Sequence, residues 1–139
     1  MIVDVINSKE DLIHGVPATD KEIKNAEDDL DLKFASEYKD YLKTFGIIAY
    51  EGHEITGISK PARTHVVDVT KKLKNNNANI DADMYVVEET NYDGIVIWQK
   101  QNGSIYETVG NSIPKQIYES LSQLSLIHIS EPTRPRLIS

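Results

Sequence analysis

Apolar positions along this chain repeat with two periods, and the switch between them marks its elements. In EYKDYLKTFG, Tyr38, Tyr41, Leu42 and Phe45 fall at i, i+3, i+4 and i+7 and predict a helix from Glu37, closed by Gly46. Gly46 is placed to end it in a left-handed conformation, and Ser36 is the expected N-cap. Upstream, Thr19 and Glu22 have the spacing of a capping box, predicting a helix from about Asp20 to Leu30 with Ile23, Ala26 and Leu30 inward. A loose apolar face of Val3, Ile6, Leu12 and Ile13 predicts an earlier helix over 3–13. Val66, Val69, Thr70 and Leu73 predict another, ended by the Asn75–Asn77 run, although its β-branched residues weaken helix propensity.

The period shortens at Ile48, Tyr50, Ile55 and Ile58, around Gly52 and Gly57, and predicts a short hairpin. DMYVVEET, GIVIWQK and SIYETVG read as three further strands, joined by NYDG and QNG turns. On the middle strand Ile95 and Ile97 share one face, and Val96 and Trp98 the other. PKQIYESLSQL, with Pro114 at a helix start and Ile117, Leu121 and Leu124 on one face, predicts a closing helix. These elements define an α+β fold: an antiparallel sheet with helices packed mainly on one side.

The 139 residues suit one domain, expected over 1–124. Residues 125–139 (SLIHISEPTRPRLIS) lack periodicity and resemble translated sequencing-adaptor read-through, so they are expected to be a non-native or disordered tail. Cysteine is absent, which excludes disulfides, thiolate zinc sites and a cysteine nucleophile. The N-terminus has no basic region ahead of an apolar run, and no segment approaches the roughly 20 apolar residues of a membrane span. The expected location is the cytoplasm. The formal net charge is −7, and removing Ser125–Ser139, with two arginines and one glutamate, leaves −8. That balance argues against nucleic-acid and membrane partners and favours a basic protein partner.

Candidate chemistry is sparse. Glu51, His53 and Glu54 stand close in sequence, with His65 further on, but their spacing matches no zinc pattern and HExxH is absent. Glu88 and Glu89, with Asp93 nearby, read as solvated strand-end charges, since neighbours on a strand point to opposite faces. No Gly-x-Ser-x-Gly elbow and no phosphate-cradling loop occurs. The run Glu27, Asp28, Asp29, Asp31 sits at a helix C-terminus, where acidic charge is unfavourable to the helix dipole. The tyrosines are expected to rest their rings on the core with most hydroxyls in water. No catalytic residue, metal or cofactor is expected.

The order of these pieces resembles the Smi1/Knr4 (SUKH) superfamily. TDKEIKNAEDDLDL, FASEYKDYLKTFG and HEITGI resemble its front half, and the segment from VVDVTKKLKNN to IYESLSQ resembles its Gram-positive bacterial branch. Many members carry Leu-Pro before the tyrosine of the FASEYKDYLKTFG helix, where this chain has Phe34–Ala35. Tyr38, Leu42, Gly46, Gly57, Asp93 and Gly94 match recurring family positions, most of them structural. The resemblance implies a non-enzymatic immunity protein that binds and neutralises a secreted polymorphic toxin, often one that attacks nucleic acid. The alternative it implies is an intracellular scaffold or regulator, as fungal relatives appear in that role. An inhibitor of a basic nucleic-acid enzyme can place carboxylates where phosphates would lie. The carboxylates expected to do so are Asp28, Asp29, Asp31, Glu51, Glu54, Glu88, Glu89 and Asp93.

Overall fold

Thr19 starts the first described helix as its spacing predicts. Its hydroxyl accepts from the Glu22 amide at 3.1 Å, and the Glu22 carboxylate accepts from the Thr19 amide at 2.9 Å. The computed structural model describes residues 13–50, 53–59, 64–90 and 94–120. In chain order these residues form β1 (Ile13–His14), α1 (Asp20–Leu30), α2 (Ser36–Phe45), β2 (Ile48–Tyr50), β3 (His53–Ile55), α3 (Val66–Asn76), β4 (Tyr85–Glu89), β5 (Ile95–Gln99), β6 (Ile105–Val109) and β7 (Lys115–Tyr118). The strands make one antiparallel sheet in the order β1 to β7, so each hydrogen-bonds to the strand before and after it in sequence. The fold is α+β, as the alternation of periods predicts.

The α2 stripe is the centre of the core. Tyr38, Tyr41 and Leu42 have no exposed surface and Phe45 almost none. They pack with Ile23 and Ala26 of α1 and with Tyr85, Val87, Ile95, Ile97 and Ile105 of the sheet. α3 is placed differently. Strand β3 pairs with β4 in register only at Ile55–Glu88. Beyond that pair the Val86 amide donates to the Thr70 hydroxyl of α3 at 3.0 Å, so the helix covers β4 where a strand does not. Val66 and Val67 of α3 join the α2 side of the core. Val69 joins Met84, Val86, Val96 and Trp98 on the other side. The helices therefore do not all lie on one face, since α3 feeds both.

Three local expectations are corrected. The predicted closing helix is strand at 115–118, because β6 takes a further partner: Glu107 lies opposite Lys115 and Tyr106 opposite Gln116. Ile13, placed at the end of the predicted first helix, pairs with Ala49, and His14 with Ile48, as β1. The rest of that helix, residues 121–124 and the 125–139 tail lie outside the described residues. The N-cap of α2 is Ala35, with Ser36 inside the helix and no side-chain cap bond.

Two glycines explain how the segments cross. Gly46 has φ of +75°, and a Cβ there would collide with the Val16 carbonyl. A Cβ on Gly57 would collide with the Gly46 carbonyl. That carbonyl accepts from the Ile58 amide at 3.1 Å, and the Gly57 carbonyl accepts from Val66 at 2.8 Å, at the start of α3. Only glycine allows backbones this close.

Candidate interaction surface

Part of the polar chemistry that the sequence offers is engaged in the interior. The Tyr38 hydroxyl donates to the Thr56 carbonyl at 3.1 Å. The Tyr41 hydroxyl lies 3.1 Å from the Ile55 carbonyl and 2.9 Å from that of Thr56. Thr56 in turn donates through Oγ1 to the Val86 carbonyl at 2.6 Å. These carbonyls sit where β3 has run out, and the tyrosines supply the donors that a longer ladder would have given. The Tyr85 hydroxyl accepts from the Ala35 amide at 3.0 Å and donates to Gln99 Oε1 at 2.6 Å. Gln99 Nε2 donates to the Gly103 carbonyl at 3.1 Å and to Glu37 at 3.2 Å. Burial raises the pKa of all three phenols well above the ordinary tyrosine value. The expectation of wet hydroxyls fails for these three: a helical stripe shows which side of a tyrosine is buried, but not how deep its oxygen goes.

The acidic run divides in the same way. Glu27 is 6% exposed. Its Oε2 accepts from the Phe34 amide at 2.8 Å and lies 3.6 Å from Lys39 Nζ. It fastens the α1–α2 loop, so local structure explains this member of the run. Asp31 takes φ of +54° at the end of α1; its amide donates to Asp28 and the Leu32 amide to Glu27, a Schellman closure. Asp28 and Asp29 are exposed, and Asp28 stands 4.0 Å from Lys24.

Six of the eight candidate carboxylates lie among the described residues, and they do not form one patch. Phe34 packs on Tyr85 with ring centroids 4.7 Å apart, which sets the C-terminal end of α1, with Asp28, Asp29 and Asp31, toward the sheet end where β4 begins. Glu54 and Glu89 flank the Ile55–Glu88 pair at the opposite end of the same strands. Glu89 is exposed and lies 3.1 Å from Lys72. Glu88 is not a solvated charge. A bulge makes Val87 the extra residue between the Val86–Trp98 and Glu88–Ile97 pairs. Glu88 consequently shares the face of Ile97 and is 2% exposed, which withdraws it from any surface contact. Glu51 and Asp93 lie outside the described residues.

Of the remaining sequence candidates, Trp98 is core, with Nε1 donating to Thr108 at 3.0 Å. His65 accepts from the Ser59 amide at 3.3 Å and closes the loop before α3. Among the described residues no group of three or more His, Cys, Asp or Glu could hold a metal ion. No helix among them is long and apolar enough to cross a membrane. Tyr38, Leu42, Gly46 and Gly57 all lie at the α2 core or the backbone crossing beside it. Gly94 has φ of +67°, and its carbonyl accepts from Gly110 at 3.2 Å.

Sequence reasoning missed the exposed apolar residues, of which Val16, after β1, is 82% exposed. Ile113 is 76% exposed and Val109 is 49% exposed, at the turn from β6 to β7. The strand prediction at SIYETVG contained Val109, but its exposure depends on where the helices end.

The family model SUKH_5, described as SMI1-KNR4 cell-wall, matches residues 1–125. The chain belongs to this family. No curated protein matches it.

Proposed function

We propose that this chain is a cytoplasmic immunity protein that binds a basic toxin domain and neutralises it by occupying its active surface. The observation that carries the reading is the direction of its polar chemistry. The tyrosine hydroxyls, Glu27, Gln99 and Thr56 are engaged inside the fold, at the distances given above. What the molecule offers a partner is an acidic exterior, with net charge −7. Membership in the SMI1-KNR4 family is consistent with a binding role of this kind. Acidic surface charge accelerates encounter with a basic partner and places carboxylates against cationic groups that would otherwise hold phosphates.

The test is co-expression with the C-terminal domain of a secreted protein encoded beside this chain. Rescue of growth together with a 1:1 complex is the expected result. Confirmed toxicity without rescue, from a well-folded chain, would reject the reading. The cell-wall wording of the family's description favours a second reading, an intracellular scaffold with several partners of modest affinity. It predicts no rescue, and instead several proteins retained by the chain.

A further inference from the structure

We propose that Asn102, in the hairpin between β5 and β6, is a site of spontaneous covalent modification, and that its isoaspartate product disconnects the hairpin from the buried Tyr85–Gln99 pair. The inference is independent of the binding function above.

Asparagine loses its side-chain amide when the backbone nitrogen of the next residue attacks Cγ. A side chain on that next residue obstructs the attack, and glycine has none. Asn102–Gly103 is the only asparagine–glycine pair in the sequence. The other described asparagines are placed less well. Asn25, Asn75 and Asn76 lie in helices. Asn77 is buried, and its side-chain nitrogen donates to the Ser112 carbonyl at 3.0 Å. Asn79 precedes the β-branched Ile80, and Asn111 precedes Ser112. Asn102 itself is exposed.

The turn favours the chemistry and passes its result inward. Asn102 Oδ1 accepts from the Ser104 amide at 3.0 Å and from the Ser104 hydroxyl at 2.6 Å. Both donors sit on the oxygen that gains negative charge when Cγ is attacked, where they stabilise that charge. The Gly103 amide donates to the Lys100 carbonyl at 2.9 Å, and ring closure has to release this bond. The Gly103 carbonyl accepts from Gln99 Nε2 at 3.1 Å. Gln99 has no exposed surface, and its Oε1 accepts from the Tyr85 hydroxyl at 2.6 Å.

In the reaction, hydroxide takes the Gly103 amide proton and the nitrogen forms a bond to Cγ. The Cγ–Nδ2 bond breaks, and water returns a proton to the leaving group, which departs as ammonia. Water then opens the cyclic imide. Addition at Cγ gives aspartate in the ordinary linkage, which keeps a carboxylate oxygen for Ser104. Addition at the main-chain carbonyl carbon gives isoaspartate, whose backbone runs through the side chain and is longer by a methylene. Gln99 stays paired with Ile105, so the longer turn moves the Gly103 carbonyl away from Gln99 Nε2.

The full chain is held folded in mildly alkaline buffer, beside the same chain unfolded in urea. Its peptides are mapped by mass and by chromatography that separates the two linkages. Asn102→Gln and Asn102→Asp are treated alike. Conversion in the folded chain should begin at Asn102, quicken with pH and be absent from Asn102→Gln. The isoaspartate fraction should melt about 3 °C or more below the native chain, while Asn102→Asp melts close to it. A folded chain that stays intact at Asn102 while the unfolded chain converts there would overturn the proposal, as would conversion that begins at another asparagine. An isoaspartate fraction that melts with the native chain would overturn the link to Tyr85 and Gln99.

Discussion

At the end of the sheet where β4 begins and β5 finishes, Phe34, Tyr38 and Tyr85 meet edge to face or tilted, with ring centroids between 4.7 and 5.1 Å apart. Their polar atoms are joined to Ala35, Gln99 and Thr56. At the other end Val109 and Ile113 face water, on a turn held by Asn77 and Asn79. One end joins its buried polar groups to one another and the other exposes two apolar groups, while a third exposed apolar residue, Val16, follows β1 beside Gly46. Each arrangement is costly unless something compensates it. Inside, complete hydrogen bonding does so. Outside, the bonded backbone of the β6–β7 turn holds the two side chains in place without burying them.

The comparison breaks most visibly through Tyr38. Tyr38→Ala should lower the unfolding free energy by about 3–5 kcal/mol, read from urea curves, because a fully buried ring leaves a cavity at the centre of three aromatic contacts. A change below about 1 kcal/mol would mean that the aromatic end does not hold the fold.

Alkaline titration is the next largest effect. The three buried phenols keep their protons above the ordinary value of about 10, whereas the unfolded chain loses them there. Their contribution is complete below pH 10 and is lost as pH rises beyond it. The expected slope is about 1.4 kcal/mol per pH unit for each phenol. Phenolate absorbance should appear together with unfolding, and its appearance in the folded protein near pH 10 would contradict the burial.

Tyr85→Phe separates packing from hydrogen bonding at the same end. It keeps the ring but leaves the Ala35 amide and Gln99 Oε1 without this partner, at a cost of about 1–3 kcal/mol. Asp31→Gly works the other way. Relief of the left-handed backbone at the close of α1 should stabilise the protein by about 0.5–1 kcal/mol, visible as a rise in Tm. Ile113→Ser should be the smallest change, within about 0.5 kcal/mol, because the side chain is mostly in water already.

The aromatic end was the more legible of the two. Helical spacing at Tyr38, Tyr41, Leu42 and Phe45 and the Thr19–Glu22 box carry α1 and α2 in local sequence alone. The errors arose where a distant segment decides. Lys115–Tyr118 could have continued as a helix behind Pro114, but β6 draws it into the sheet. Glu88 reads as a surface charge until the bulge at Val87 turns it onto the core face. The clamp of α3 on the β6–β7 turn joins residues more than 30 apart, so the Asn75–Asn77 run shows only where the helix stops. The acidic set was legible as charge but not as a place, since Glu88 is buried and the other described members lie at opposite ends of the sheet.

Backbone hydrogen exchange of the full chain, alone and mixed with the toxin domain of the co-expression test, is the most direct test of the central claim that the buried polar groups hold the fold and the exterior does the binding. The account predicts added protection confined to exposed backbone, with the buried segments around Tyr38 and Tyr85 unchanged. Added protection confined to those buried segments, or none anywhere at saturating partner, would contradict it.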